Sequence, residues 1–461
     1  MVIDMRLFER YRAMDRFDAH IEENKGRYFD ELCALLRQPS IAAQGIGIEE
    51  TATLVTQRLE RLGAQVQVFH MPGAAPVVYG SIGHGNRTLL IYDHYDVQPP
   101  EPLDLWHSPP FEPMLRDGKL YARGVADNKG NLMLRIQAIE SWLAAYGALP
   151  CRVNFLIEGE EEIGSINLEA FCQSHPDLLR ADGCLWETGG VNALEQPTIM
   201  CGAKGICYVE LVVRGASHDL HSANATMVPN PAWRLTWALA TLKAPDERVL
   251  IPGFYDWVRP PSAADMAALE RIPLDDEELL ADFGIPQFLG GLRGIERLKA
   301  HLFNPTCTIC GLISGYTGEG SKTVLPSEAR AKIDFRLVPD MDPADVVAAL
   351  RRHLDAHGFD DIAIIEYGHE KPGRSDPDSH VVQAMATAIR ATYHMDPIIY
   401  PTMAGTGPVY PVCTAAGTPM TTGCGTGYQG SLVHAPNENI RLDDYWTAMR
   451  CMGAFLQAFA A

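Results

Sequence analysis

Thr88-Leu89-Leu90-Ile91-Tyr92-Asp93-His94-Tyr95-Asp96-Val97 is the stretch on which the fold turns. Thr88 to Tyr92 is a short apolar run and predicts a buried strand. It ends directly in a cluster of acids and a histidine. The pattern recurs downstream. Val153 to Ile157 predicts a strand that runs into Glu158-Gly159-Glu160-Glu161-Glu162-Ile163-Gly164-Ser165, and Cys184 to Trp186 predicts another that runs into Glu187-Thr188. Lys129 to Tyr146 reads as a helix between the first two strands. Strands alternating with helices predict an α/β fold, a mixed and mostly parallel sheet with helices on both faces. Ligands of such sheets bind at the carboxyl ends of the strands, which is where the polar clusters fall.

Outward from this core, Ile21, Tyr28, Phe29, Leu32, Leu35 and Leu36 recur at helical spacing over 19–37. A second helix is expected over about 48–62, then a short strand at Val66 to Phe69. The pattern changes near 204. Tyr208 to Val213 alternates as a half-buried strand does, and Pro231 to Leu242 opens with the proline that suits a first helical turn. Ala329 to Val338 (strand), Asp342 to His357 (helix) and Ile362 to Tyr367 (strand) complete an α+β insertion. Residues 1–203 and 373–461 are expected to form the catalytic domain, with helices at about 379–393 and 442–459. Residues 204–372 are expected to form the inserted domain.

A length of 461 residues exceeds what one core usually holds, so two domains are expected. A net charge of −20, with no Lys/Arg run to offset it, excludes nucleic acid and anionic membranes as partners. The 11 cysteines are scattered without framework spacing, which predicts reduced thiols and a cytoplasmic location. The lone CxxC, Cys307 to Cys310, lacks the second pair that a zinc ribbon needs. Met1 to Phe17 has no apolar h-region, so no signal peptide is expected. No apolar run approaches the roughly 18 residues of a membrane span.

Five clusters carry the chemistry. In the first, His94 offers a metal one ring nitrogen while Asp96 accepts the proton of the other and fixes the tautomer. The second is Arg123-Gly124-Val125-Ala126-Asp127-Asn128-Lys129-Gly130, whose Asp127 stands where an ordinary N-cap Asp also stands. The third packs four carboxylates into Glu158–Glu162, and a cation best relieves their repulsion. Glu187, and His434 in His434-Ala435-Pro436-Asn437-Glu438, each read as structural when taken alone. Together, two histidines and three carboxylates, with two more acids in support, fit a pair of divalent ions about 3.5–4 Å apart that share one carboxylate, activate water and polarise a scissile carbonyl. Mixed nitrogen and oxygen ligands suit Zn²⁺, with Mn²⁺ or Co²⁺ as alternatives.

HxD, RGxxDxKG, EExGS and HxxNE, in this order, resemble the M20 metallopeptidase family and its carnosinase-like cytosolic dipeptidases, from Gln38-Pro39-Ser40 to the last helix. The resemblance implies that His94 and Glu187 bind one metal, Glu162 and His434 the other, and that Asp127 bridges both. It makes Asp96 the orienter of His94 and Glu161 the general base. It also implies a cis peptide after Asp127, and an inserted domain that acts as a lid and dimerises. His221, in Asp219-Leu220-His221-Ser222, would then reach across from the partner subunit to stabilise the oxyanion. Thr323 in Lys322-Thr323-Val324-Leu325-Pro326, Arg336 in Phe335-Arg336-Leu337-Val338-Pro339, and Gly405-Thr406 in Gly405-Thr406-Gly407-Pro408 would bind substrate, Arg336 taking its carboxylate. The last loop departs from the family's Gly-Gly-Ser, and Asn128 stands where many relatives have Asp. The implied function is hydrolysis of a dipeptide or similar short substrate with a free carboxylate. An N-acyl or N-carbamoyl amino acid amidohydrolase is the alternative with the same site. An inactive amino-acid- or peptide-binding homologue is the alternative of another class.

Overall fold

The computed structural model describes residues 5–461, with side chains from Met14 onward. The chain divides into two compact units: 1–202 with 374–401 and 411–461, and 203–373 with 402–410.

The first unit is built on a six-stranded sheet in the order Gln65–Phe69, Val77–Ile82, Arg152–Glu158, Thr88–His94, Gly183–Leu185, Met420–Thr421. The first two junctions are antiparallel and the other three parallel, so the sheet is mixed and mostly parallel. Leu89, Leu90, Ile91 and Tyr92 are fully buried, as a strand covered on both faces requires. The parallel register sets His94 opposite Glu158 and Ile91 opposite Leu185. Three strands therefore deliver their polar continuations to the same edge.

Helices Met5–Arg37, Lys129–Tyr146 and Leu442–Ala460 pack with the sheet around one apolar core. Lys129–Tyr146 is buried along most of its length, from Leu132 and Leu134 to Trp142. A polar layer fixes how the three helices meet: Tyr28 Oη lies 2.8 Å from Ser141 Oγ, Tyr445 Oη donates to Gln137 Oε1 at 2.7 Å, and Gln137 Nε2 donates to Tyr28 O at 3.0 Å. Such a layer holds rotational register, because each buried group is satisfied in only one arrangement.

The second unit carries a four-stranded antiparallel sheet in the order Thr308–Ser314, Glu328–Leu337, Gly205–Arg214, Ala363–Glu370. Alternation puts Cys207, Val209, Leu211 and Val213, with Ala331, Ile333 and Phe335, in one core. Helices Pro231–Leu242 and Pro343–Ala356 pack on this sheet. Each starts with proline after a side-chain cap, Asn230 and Asp342 accepting from the N–H of Ala232 and Ala344. The stretch 402–410, assigned from sequence to the first domain, groups with this second unit. Its ties include Lys204 N–H to Gly405 O at 2.9 Å and Arg336 Nη1 to Thr406 Oγ1 at 2.7 Å. Among the described residues no helix is long and apolar enough to cross a membrane. Among the described residues no cysteine is in a disulfide; Cys307 is buried and Cys310 exposed.

Candidate metal centre

Asp127 stands at the middle of the polar edge. His94 Nε2 lies 3.1 Å from Asp127 Oδ1, and His434 Nε2 lies 3.1 Å from Asp127 Oδ2. Glu187 Oε2 is 3.3 Å from His94 Nε2, and Glu162 Oε2 is 3.1 Å from His434 Nε2. The result is two half-sites, His94 with Glu187 and His434 with Glu162, each facing one oxygen of the same carboxylate. Ligand atoms of Asp127, Glu162 and His434 all lie within 4.8 Å of one another.

The donor set fits cations better than it fits itself. Glu162 Oε1 and Glu187 Oε2 are buried yet accept no hydrogen bond, although Glu187 is close enough to attract His94. An orphaned buried carboxylate oxygen is costly, and divalent cations would satisfy both. The histidines carry the same sign of misfit. Against the effect of burial, the Glu187 charge and the Asp127 and Asp96 contacts hold the His94 pKa well above its ordinary value. Contacts with Asp127 and Glu162 raise His434 to about 10. The two histidines in turn hold Asp127 below the usual carboxylate range, although burial opposes it.

Each cluster has supports that the sequence did not reveal. Asp96 is fully buried and receives Glu161 N–H at Oδ1 (3.2 Å) and Glu162 N–H at Oδ2 (3.0 Å). His94 Nδ1 sits 3.1 Å from Asp96 O and 3.3 Å from its Oδ1. Asp96 thus fixes the His94 ring and the glutamate turn together. The four glutamates of 158–162 separate into distinct environments. Glu158 accepts from Tyr92 and Ser165, and burial pushes its carboxyl up to about 8. Glu160 is held by Asn167 and Ala75 N–H. Glu162 joins a half-site, steadied by Gln98 Nε2 at 2.9 Å. Glu161 keeps its carboxylate out of these bonds, and burial first, then Asp127 and Glu162, push it up to about 7 against the pull of His94.

The RGxxDxKG stretch is a shaped loop. Gly124 has φ +81°, and a Cβ there would lie 2.4 Å from Val97 Cγ1. The Asp127–Asn128 peptide is cis. Asn128 Nδ2 and Arg135 Nη1 both donate to Asp93 Oδ1 at 2.7 Å, and Arg135 continues to Trp186 O and Glu187 O. Lys129 Nζ donates to Gln38 O at the end of the first helix.

Glu438 closes the HxxNE motif, but no role of its own follows from the sequence. It is fully buried, and its carboxylate accepts from Arg123 Nη1 (2.7 Å) and from the N–H of Gly124 (2.9 Å), Ala126 (2.8 Å) and Asp127 (3.0 Å). Asn437, in the left-handed region at φ 66°, anchors the same turn to His107 N–H and Leu105 O. The HxxNE motif therefore joins the His434 turn to the Asp127 loop. Its signal in sequence was the acid four residues after His434, but its partners lie more than 300 residues away. Glu438→Ala leaves Arg123 buried without its anion. It should destabilise the metal-free protein by about 3–5 kcal/mol in chemical denaturation; a loss under about 1 kcal/mol would show that the carboxylate does not hold the loop.

The remaining sequence candidates lie in the second unit. Leu220–His221 pairs with Val324–Leu325, and Ser222 N–H donates to Thr323 O, so His221 and Thr323 are neighbours along the backbone. Ala223 N–H donates to His221 Nδ1 at 3.1 Å, which places the neutral ring's proton on Nε2 as a donor. Arg336 Nη1 donates to Thr406 Oγ1 at 2.7 Å, and its Nε lies 3.2 Å from Asp334 Oδ2.

Residues 90–458 match the sequence profile of peptidase family M20/M25/M40. The chain belongs to this family. It is 30% identical over 370 residues to a Beta-Ala-His dipeptidase of Rattus norvegicus, covering 75% of this chain and 74% of that protein. It is 28% identical over 369 residues to a Cys-Gly metallodipeptidase of Schizosaccharomyces pombe, covering 74% and 75%. An M20 family metallo-carboxypeptidase from Sulfolobus solfataricus superposes with a TM-score of 0.88 at 40% identity, over 94% of this chain and 99% of that one. The M20 chain described above is a hydrolytic metallopeptidase.

Proposed function

We propose that this M20 enzyme is a two-metal dipeptidase that works as a homodimer on short substrates with a free C-terminal carboxylate. The observation that carries the reading is the symmetric sharing of Asp127: one oxygen to His94, the other to His434, each histidine with its own glutamate. The relatives named above act, by their names, as dipeptidases or a carboxypeptidase. Both activities use a substrate that ends in a free carboxylate.

In this reading His94, Glu187 and Asp127 would hold one cation, and His434, Glu162 and Asp127 would hold the other, with zinc the natural choice for such ligands. Bound there, the ions would supply the positive charge that polarises the scissile carbonyl and acidifies water. Glu161 takes a proton from the attacking water as its oxygen bonds to the carbonyl carbon. The same proton passes from Glu161 to the departing nitrogen as the C–N bond breaks, and an acid and an amine leave. His221 donates from Nε2 to the oxyanion. Arg336 receives the substrate carboxylate, with Thr323, Gly405 and Thr406 as its companions in substrate binding.

The test starts from metal-free protein. Calorimetric titration with zinc should show two ions bound per chain. The loaded enzyme should release free amine from dipeptides, lose this activity to a chelator and regain it with zinc. Cleavage of N-acyl or N-carbamoyl amino acids with no turnover of any dipeptide would overturn the dipeptidase reading in favour of the amidohydrolase. One ion per chain at saturation would overturn the two-metal reading.

A further inference from the structure

Lys204 is buried, with 3% of its surface exposed, and among the described residues no carboxylate forms an ion pair with it. Its Nζ donates instead to two backbone carbonyls, His301 O at 2.8 Å and Asn304 O at 2.6 Å. These close the C-terminal end of helix Gly294–Phe303, where a cation meets orphaned carbonyls and the negative pole of the helix. A buried ammonium without an anion is unusual. Burial, and then the charge of nearby Arg336, bring this one down to about 8.

The bonds around Lys204 form a closed circuit through Arg336. Lys204 N–H donates to Gly405 O at 2.9 Å. The next residue, Thr406, receives Arg336 Nη1 at 2.7 Å. Arg336 and Thr306 are tied twice, by Arg336 N–H to the Thr306 side chain Oγ1 at 3.2 Å and by Thr306 N–H to Arg336 O at 3.0 Å. Thr306 lies two residues beyond Asn304, which Lys204 Nζ holds. Lys204 itself directly precedes the strand Gly205–Arg214, in which Ile206 stands opposite Arg336. One residue thus clamps both segments that flank the guanidinium: the 402–410 loop through its backbone, and the 301–306 turn through its side chain.

We infer that Lys204 is a positioning residue for carboxylate recognition. It fixes the Thr406 loop and the Thr306 turn so that the Arg336 guanidinium presents one orientation to the substrate's carboxylate. The inference rests on the proposed role of Arg336. A guanidinium reads a carboxylate through a planar fork, so its orientation matters as much as its charge.

The measurement is the ratio of kcat/KM for a dipeptide to kcat/KM for the same dipeptide with a C-terminal amide, in the zinc-loaded enzyme. The ratio does not depend on how much of the protein is folded, so a variant that folds poorly still reports. Arg336→Met should bring the ratio close to one. Lys204→Met should lower it on the order of 10-fold, mostly through KM, within the roughly 10²-fold that a 1 Å misplacement can cost. Lys204→Arg, which keeps donors for the two carbonyls, should recover most of the difference. If Arg336→Met shifts the ratio and Lys204→Met does not, the inference on Lys204 falls while the role of Arg336 stands. If Lys204→Arg is as impaired as Lys204→Met, the two carbonyl bonds are not what holds the platform, and the inference falls. If Arg336→Met leaves the ratio unchanged, the carboxylate reading fails and takes the inference with it.

Discussion

Glu161→Gln should retain bound metal and lose turnover by on the order of 10²–10⁴-fold, the usual contribution of a general base. Glutamine keeps the size of the side chain, and the bond from the residue-161 N–H to Asp96 belongs to the backbone. Asp96 still receives Glu162 N–H, so the neighbouring half-site keeps its shape. What disappears is the one carboxylate in the run that is neither locked in hydrogen bonds, as Glu158 and Glu160 are, nor set against a histidine, as Glu162 is. The pH profile makes the assignment specific. Burial and neighbouring acids push Glu161 up to about 7, and divalent cations bound at the proposed centre would favour its charged form and bring it down again. A general base works only when deprotonated, so if Glu161 fills that role kcat/KM should fall as pH drops through this pKa, giving an acid limb below 7. In Glu161→Gln the residual rate should lose that limb. Metal content is read by elemental analysis and turnover by release of amine. Near-normal turnover in a metal-replete Glu161→Gln enzyme would remove Glu161 from the chemistry.

The sequence exposed three of the five clusters of the candidate centre because they follow apolar strands, and parallel strands deliver their ends to one edge; the Asp127 and His434 clusters sit on loops and follow no such strand. Thr88 to Tyr92, Val153 to Ile157 and Cys184 to Trp186 stand in the sheet as Thr88–His94, Arg152–Glu158 and Gly183–Leu185. His94, Asp127, Glu162, Glu187 and His434 stand together in space. What stayed hidden has two physical sources. Short or interrupted strands carry too little pattern: Met420–Thr421 has two residues, and Val77–Ile82 is broken by Gly80. Supports that act through backbone groups leave no pattern at all. Besides its bond from Arg123, Glu438 binds three backbone N–H groups, and Lys204 Nζ binds two backbone C=O groups, which every residue carries. Spacing alone likewise does not sort the glutamates of 158–162; their separation depends on Tyr92, Ser165, Asn167 and Ala75, each supplied by another element or turn.

His221→Ala should lower kcat by about 10²–10³-fold, the loss expected for one oxyanion donor. The ring is prepared for that task, since Ala223 N–H occupies Nδ1 and leaves the proton on Nε2. His221 is exposed, and it belongs to a different compact unit from Glu161 and the half-site residues. If the active species is a homodimer with an isologous interface, His221 of one subunit serves the centre of the other, and two inactive proteins can repair each other. A His221→Ala subunit keeps its half-sites and Glu161. A Glu161→Ala subunit keeps His221. In their mixed dimer one centre combines the intact base of the first with the intact histidine of the second, and the other centre lacks both. An equal mixture that exchanges freely holds mixed dimers in about half its molecules, so about a quarter of wild-type activity should return. Exchange is followed independently, with a mass tag on one partner. Demonstrated exchange without recovered activity would mean that His221 acts within its own chain or takes no part in the reaction.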